Sequence, residues 1–332
     1  MSYVPDELHG ICGMMPAFST PDAGSLTATD TVDTDSLRDA LDRVIEDGVG
    51  LIATTGTFGQ TWNLFYEEFQ KLVVASIEAV NNRVPLMLGV TSANPRDVVR
   101  RMSFVRDVGG QGVLLGLPHY EPLPIPDIAT FYREIAEMFP DISIMIYHNP
   151  VNHHVHIPVH VFQDLVKLPN IVAMKDSHRT PLEFQRLHSV IHGKIAHFVN
   201  QTQLYPYYEM GASGCWSHHI WAGIWPVLRL LQAVEDGDVE AARRVTADIA
   251  PGLGGAGEED PRARRGHLFY EYAGYVNIGP PRAPHAFALR DPVEAAANEE
   301  KARKNAARWV ALCEKYRPEV EARRASRVAV SA

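Results

Sequence analysis

The chain has 332 residues, 46% of them hydrophobic and 21% charged, with a formal net charge of −9. That is the composition of a soluble globular protein, and the acidic balance argues against nucleic acid as the main partner, because phosphate binding calls for a basic surface. No uninterrupted apolar run approaches the ~18 residues of a membrane span, residues 1–10 lack the basic start of a secretory signal, and three widely spaced cysteines (Cys12, Cys215, Cys313) favour a reducing, cytoplasmic location over a disulfide framework.

Short apolar runs alternate with helical patterns along the chain. The runs fall at 11–18, 50–55, 85–90, 112–116, 142–147, 171–175, 196–200 and 213–217. Most are apolar throughout, as expected of parallel strands covered on both faces. Between them, residues 35–47 place Leu37, Leu41, Val44 and Ile45 on one helical face, with Gly48 as a stop. Residues 66–80 repeat that pattern, and residues 95–108 open with Pro95 behind a capping Asn94. The seventh unit is short, so its helix is expected to be brief. Eight βα units in a row predict an α/β fold of the (β/α)8 TIM-barrel type, with an open doubly wound sheet as the alternative. After residue 223 the character changes. Residues 225–249 and 292–316 read as helices, residues 251–266 as a loop rich in breakers, and the tail after Pro318 as frayed. The expected organisation is a barrel over 1–222 carrying the site and a helical extension over 223–332.

In such a barrel, chemistry sits where strands end. Lys175 closes the sixth run, where burial disfavours an ammonium and lowers its pKa, as an amine nucleophile needs. The alternative is a strand-end lysine facing solvent or paired with Asp176. Tyr147 closes the fifth run, in position to shuttle protons beside an iminium, or simply to pack. Gly56-Thr57-Phe58-Gly59 follows the second run, where a glycine turn offers backbone N–H groups to a carboxylate and Thr57 adds a hydroxyl. Each feature alone is weak. Together, at the same end of three strands, they supply a nucleophile, a proton shuttle and a carboxylate cradle, the set an α-keto acid requires.

These residues resemble the dihydrodipicolinate synthase and N-acetylneuraminate lyase superfamily of class I aldolases. Gly56-Thr57-Phe58-Gly59 matches its GTxG loop, Tyr147-His148-Asn149-Pro150 its Y-x-x-P segment, and Ile171 to Lys175 with Asp176-Ser177 its IxxxKD segment; Gly211 to Gly214 matches the turn before strand eight. The resemblance covers about residues 10–320. It implies an imine between Lys175 and pyruvate, no metal or organic cofactor, and a homotetramer. Within the superfamily the chain is similar to hydratase-aldolases acting on substituted benzalpyruvates in aromatic-hydrocarbon catabolism. The features carrying this are the segment 15–22, Thr57-Phe58, Trp216, and Tyr275 to Gly279. The resemblance implies that Trp216 and Asn277 line the site. It departs from the synthases in having Val151-Asn152-His153-His154 where they carry an arginine, and Gln60 in place of a glutamate.

The histidines His148, His153, His154 and His156 come without a cysteine or carboxylate pattern, so no metal is expected. Arg243-Arg244 and Arg262 to Arg265 read as solvated faces. His178 and Arg179, three and four residues past Lys175, are expected to hold an ortho-carboxylate on the substrate ring. That favours trans-2'-carboxybenzalpyruvate over trans-o-hydroxybenzylidenepyruvate. A sugar-acid or dihydrodipicolinate-type aldolase, and a non-catalytic binding protein on the same barrel, are the competing readings.

Overall fold

The structure is a computed structural model, and it describes residues 3–176, 178–250 and 267–331. Eight parallel strands close into a barrel in sequence order. They are β1 Gly10–Met14, β2 Leu51–Ala53, β3 Leu86–Gly89, β4 Gly112–Gly116, β5 Ser143–Tyr147, β6 Ile171–Lys175, β7 Ala196–Asn200 and β8 Gly214–Ser217. All eight expected runs are strands, and closure through β1 and β8 (Cys12 opposite Trp216) removes the open-sheet alternative. Two strands are shorter than their apolar runs. β1 stops at Met14, ahead of Pro16, which has no N–H for a ladder, and β2 stops at Ala53, ahead of Thr55, whose φ is 41°. Cys12, Met14, Ala53, Met87, Leu114, Met145, Tyr147, Ala173 and Phe198 belong to one buried core cluster.

The chain forms two compact units: residues to Pro16 with Val49–Ser217, and Ala17–Gly48 with His218 onward. The first holds all eight strands, with helices α2 Tyr66–Val80, α3 Pro95–Asp107, α4 Ile125–Met138, the single-turn α5 Pro150–His153 and α6 Phe162–Leu165, α7 Pro181–Ile191 and the brief α8 Leu204–Tyr208. The Asn94 side chain caps α3 by accepting from the Arg96 N–H, as its sequence position suggests.

The second unit takes in helix α1 Thr34–Glu46, which a single boundary at residue 222 would leave with the barrel. Buried Arg282 explains the grouping: it donates to Thr31 Oγ1 and O, both at 2.6 Å, and to the carbonyls of Ala17 and Phe18 at 3.2 Å. Arg43 donates to the Tyr275 carbonyl, and the Tyr275 hydroxyl to Asp47, both at 2.6 Å. The stretch read as one helix over 225–249 is two, α9 Trp225–Glu235 and α10 Val239–Ile249. Gly237, at φ 66°, ends the first, and Asp238 caps the second. Helix α11 His267–Ala273 was not foreseen, and the expected loop 251–266, with Arg262 to Arg265, lies outside the described residues. The tail after Pro318 is not frayed: α12 runs Pro292–Ser331 through the proline. Burial of Tyr316 and Val320 and the pairing of Arg323 with Glu235 and Asp236 offset the ~3 kcal/mol a helix-interior proline costs. Among the described residues no helix is long and apolar enough to cross a membrane.

Candidate active site

Parallel register brings the two strand-end residues together: Tyr147 on β5 pairs with Lys175 on β6. Both face the barrel core and are only 4% exposed. The Lys175 amine lies between two aromatic faces, with Nζ 3.8 Å from the ring centre of Trp216 and 4.8 Å from that of Tyr147. Trp216 is fixed in this attitude because its indole N–H donates to the Asp176 carbonyl at 2.9 Å. The ring faces attract an ammonium electrostatically and close the amine off on two sides.

The Tyr147 hydroxyl lies 2.9 Å from Thr57 Oγ1 and 3.4 Å from the Thr57 N–H, which ties β5 to the loop after β2. That loop keeps its shape through its glycines. A Cβ on Gly59 would come within 2.7 Å of the Thr55 backbone, and one on Gly56 would meet the Met14 side chain at 3.0 Å and the Tyr147 ring at 3.7 Å. Phe58, between them, is half-buried. Burial pushes the Tyr147 phenol up, but the Lys175 charge and hydrogen bonds from Thr57 and Asn149 outweigh it, and the hydroxyl sits below the ordinary phenol value.

Directly behind Lys175 is a buried ionic cluster. Asp176, 2% exposed, accepts from His148 Nδ1 at 2.9 Å, Arg179 Nε at 2.7 Å and His197 Nε2 at 3.2 Å. Burial alone would raise its carboxyl; the hydrogen bonds from His148 and His197 hold it well below the usual carboxylate range. The Ile157 N–H donates to His148 Nε2, which makes His148 the neutral tautomer protonated on Nδ1. Arg179 does not stand open to a ligand as expected. Its side chain is buried, Nη1 meets His156 at 3.1 Å, Nη2 donates to the Ile157 carbonyl at 2.8 Å, and Asp176 already neutralises its charge. His178 is exposed in the loop after β6. Asn277 belongs to the other unit, where its amide donates to Ser36 Oγ at 3.3 Å and its side-chain oxygen accepts from the Gly279 N–H.

Three residues named in the sequence without a role beside Tyr147 and Thr57 are brought onto them by the fold. Asn149 Nδ2 donates to the Tyr147 hydroxyl at 3.1 Å, and Asn152 Nδ2 to Thr57 Oγ1 at 3.1 Å. The His153 ring meets the Tyr147 ring edge-on at 5.3 Å. The available signal was a proline-initiated turn directly after a strand-end tyrosine, which returns residues three apart to one side.

Burial pushes His148 down to about 4 and His153 to about 3. In the unfolded chain both titrate near ~6.5, so between these values the unfolded state binds the extra protons and stability falls as pH drops. Asp176 works in a lower window: its depressed carboxyl contributes stability above the unfolded value, lost only as pH falls through the folded one. Thermal unfolding is therefore expected to move to lower temperature between about pH 6.5 and about pH 4.5, and His153→Gln to flatten that dependence. An identical pH slope in the variant would mean that His153 is not held neutral by the fold.

A parallel (β/α)8 barrel with a buried lysine, a tyrosine and a threonine gathered at the carboxyl ends of its strands defines the class of protein. The chain belongs to the dihydrodipicolinate synthetase family, whose model matches residues 11–253. It is 27% identical over 326 residues to a trans-2'-carboxybenzalpyruvate hydratase-aldolase of Nocardioides sp. (strain KP7), covering 93% of this chain and 95% of that one. It is 34% identical over 170 residues to a trans-O-hydroxybenzylidenepyruvate hydratase-aldolase of Pseudomonas putida; this match spans about half of each protein, 51% of either length. A solved structure of PhdJ bound to a substrate intermediate superimposes with a TM-score of 0.86 at 26% identity, over 95% of this chain and 99% of that one.

Proposed function

We propose that the protein is a Schiff-base hydratase-aldolase that converts a substituted benzalpyruvate and water to an aromatic aldehyde and pyruvate. The observation that carries this reading is the Lys175 amine, buried against the Trp216 and Tyr147 rings, with the Tyr147 hydroxyl hydrogen-bonded to Thr57. The amine attacks the C2 ketone and, with loss of water, gives an iminium conjugated to the C3–C4 double bond. Water adds at C4. That addition sends the electron pair to nitrogen, and protonation of the resulting enamine at C3 restores the iminium. Deprotonation of the C4 hydroxyl then breaks C3–C4, releasing the aldehyde, and the electron pair passes to the iminium to leave a second enamine. Protonation at C3 and hydrolysis free pyruvate and the lysine. The iminium is the electron sink for both steps, so the chemistry calls for no metal or organic cofactor. Tyr147 is the group placed to move the protons. The Thr57 loop is the cradle for the keto-acid carboxylate, and Trp216 is assigned to the aromatic end.

The favoured substrate is trans-2'-carboxybenzalpyruvate, and the match along 93% of this chain to an enzyme of that name supports it. Arg179 is no longer its cause, and His178 remains the candidate on the rim. In this reading the enzyme serves aromatic-hydrocarbon breakdown in the cytoplasm as a homotetramer, which light scattering on the purified protein tests. Pyruvate release from the carboxy substrate, the o-hydroxy substrate and a sugar acid decides the substrate class. We expect kcat/KM to rank in that order, with His178→Ala narrowing the gap between the first two. Fastest release from the sugar acid would move the protein to a sugar-acid aldolase, and no release from any would leave a binding protein.

A further inference from the structure

The hydroxyls of Tyr147 and Thr57, 2.9 Å apart, share one hydrogen bond whose direction neither oxygen decides by itself. The amides around them do. Asn152 Nδ2 donates to Thr57 Oγ1 at 3.1 Å, and Asn149 Nδ2 donates to Tyr147 Oη at 3.1 Å while reaching Thr57 Oγ1 at 3.4 Å. The Thr57 N–H points at the same phenol oxygen, 3.4 Å away. An amide nitrogen only donates, and a hydroxyl oxygen has two lone pairs. With amide hydrogens filling the lone pairs of Thr57 Oγ1, what Thr57 has left to offer Tyr147 is its own proton. Thr57 Oγ1 and Asn149 then fill the two lone pairs of the protonated Tyr147 Oη, the Thr57 N–H at 3.4 Å stands ready for the third lone pair of the phenolate, and none of these three takes a proton from it.

We propose that Asn149 and Asn152 are positioning residues that turn the Thr57 hydroxyl toward Tyr147, so that the phenol oxygen is held by donors and its own proton is directed to the Lys175 side. The inference rests on the reading of Tyr147 as proton shuttle and deepens it. A phenolate gains most from three donors, so the arrangement makes Tyr147 easier to deprotonate without any charged partner beyond the lysine. The titratable groups facing Tyr147 are Lys175 on β6 and His153 on α5, and burial keeps His153 neutral near neutral pH. Met14 on β1 and Leu114 on β4, its neighbours in the core cluster, are apolar. The chain achieves this with Asn149 at the cap of a one-turn helix and Asn152 three residues on.

The test reads the Tyr147 proton directly. In protein labelled with 13Cζ-tyrosine, the Tyr147 resonance, assigned by its absence in Tyr147→Phe, is titrated without substrate. Asn149→Leu and Asn152→Leu each remove a donor with little change in size; Asn152→Ser serves if a leucine variant fails to fold. Each is expected to raise the Tyr147 titration by about one pH unit, the equivalent of one charge-assisted hydrogen bond. The ascending limb of the pH profile for pyruvate release should move with it to higher pH, with kcat below that limb falling about 10-fold and KM little changed. An unmoved or lowered Tyr147 titration in the folded variants overturns the proposal, because it would mean that the amides do not donate to this pair. If the wild-type protein forms no borohydride-trapped adduct with pyruvate, the lyase reading fails, and the titration still decides the proton direction.

Discussion

Lys175→Ala is expected to abolish both turnover and reductive trapping. In the wild type, borohydride with pyruvate should leave a reduced pyruvyl adduct on the peptide containing Lys175, read by mass spectrometry. The expectation follows from burial. The side chain is 4% exposed and has its nitrogen against two aromatic faces beside the Tyr147 hydroxyl, where an amine nucleophile would meet a ketone. The imine is the electron sink for hydration and for carbon–carbon cleavage alike, so no residual path through another side chain is expected. An adduct on a different lysine, or trapping that survives in Lys175→Ala, would remove the assignment. Truncation at this position removes a buried charge rather than exposing one, so the variant should remain folded. Its unfolding transition is the control.

Tyr147→Phe should lower kcat by about 10²–10⁴-fold, the range for a positioned acid–base group. The ring itself would stay. Its edge-on contact with His153 and its place in the core cluster do not depend on the hydroxyl. What is lost is the oxygen that accepts from Asn149 and the Thr57 N–H and sits 2.9 Å from Thr57 Oγ1. Leaving those donors unpaired costs on the order of 1–3 kcal/mol of stability. Imine formation with pyruvate should slow but still reach completion, because the lysine is intact. Near-normal turnover, with the chemical step shown to limit the rate, would sink the role.

Much of this architecture was legible in the linear sequence. Apolar runs ending in Tyr147 and Lys175, separated by helical periods, specify parallel strands whose last residues fall at one rim, because every βα unit returns the chain in the same direction. Helix α3 was visible for the same local reason: Asn94 and Pro95 satisfy and preset its first turn whatever lies nearby. The errors came where a distant partner outweighed local preference. Pro318 breaks an isolated helix, yet α12 continues because Tyr316 and Val320 are buried and Arg323 finds Glu235 and Asp236. Residues 17–48 read as part of the first barrel unit, until buried Arg282 is seen holding the carbonyls of Ala17, Phe18 and Thr31.

The sequence by itself determined which groups are the candidates for chemistry, since a lysine, a tyrosine and a glycine–threonine turn at strand ends are chemically distinctive wherever they occur. Only the tertiary structure decided what each of them touches. Arg179 sits four residues past Lys175 and could have faced a substrate, but in the fold it is paired with Asp176, among His148 just past β5 and His197 on β7. Asn149 and Asn152 have no contact legible from their spacing until the turn of α5 and the closure of the barrel bring them onto Tyr147 and Thr57. The physical reason is the same in each case. A hydrogen bond is set by positions within about 3 Å, and contacts across 28 or 95 residues of chain are fixed by packing, not by spacing.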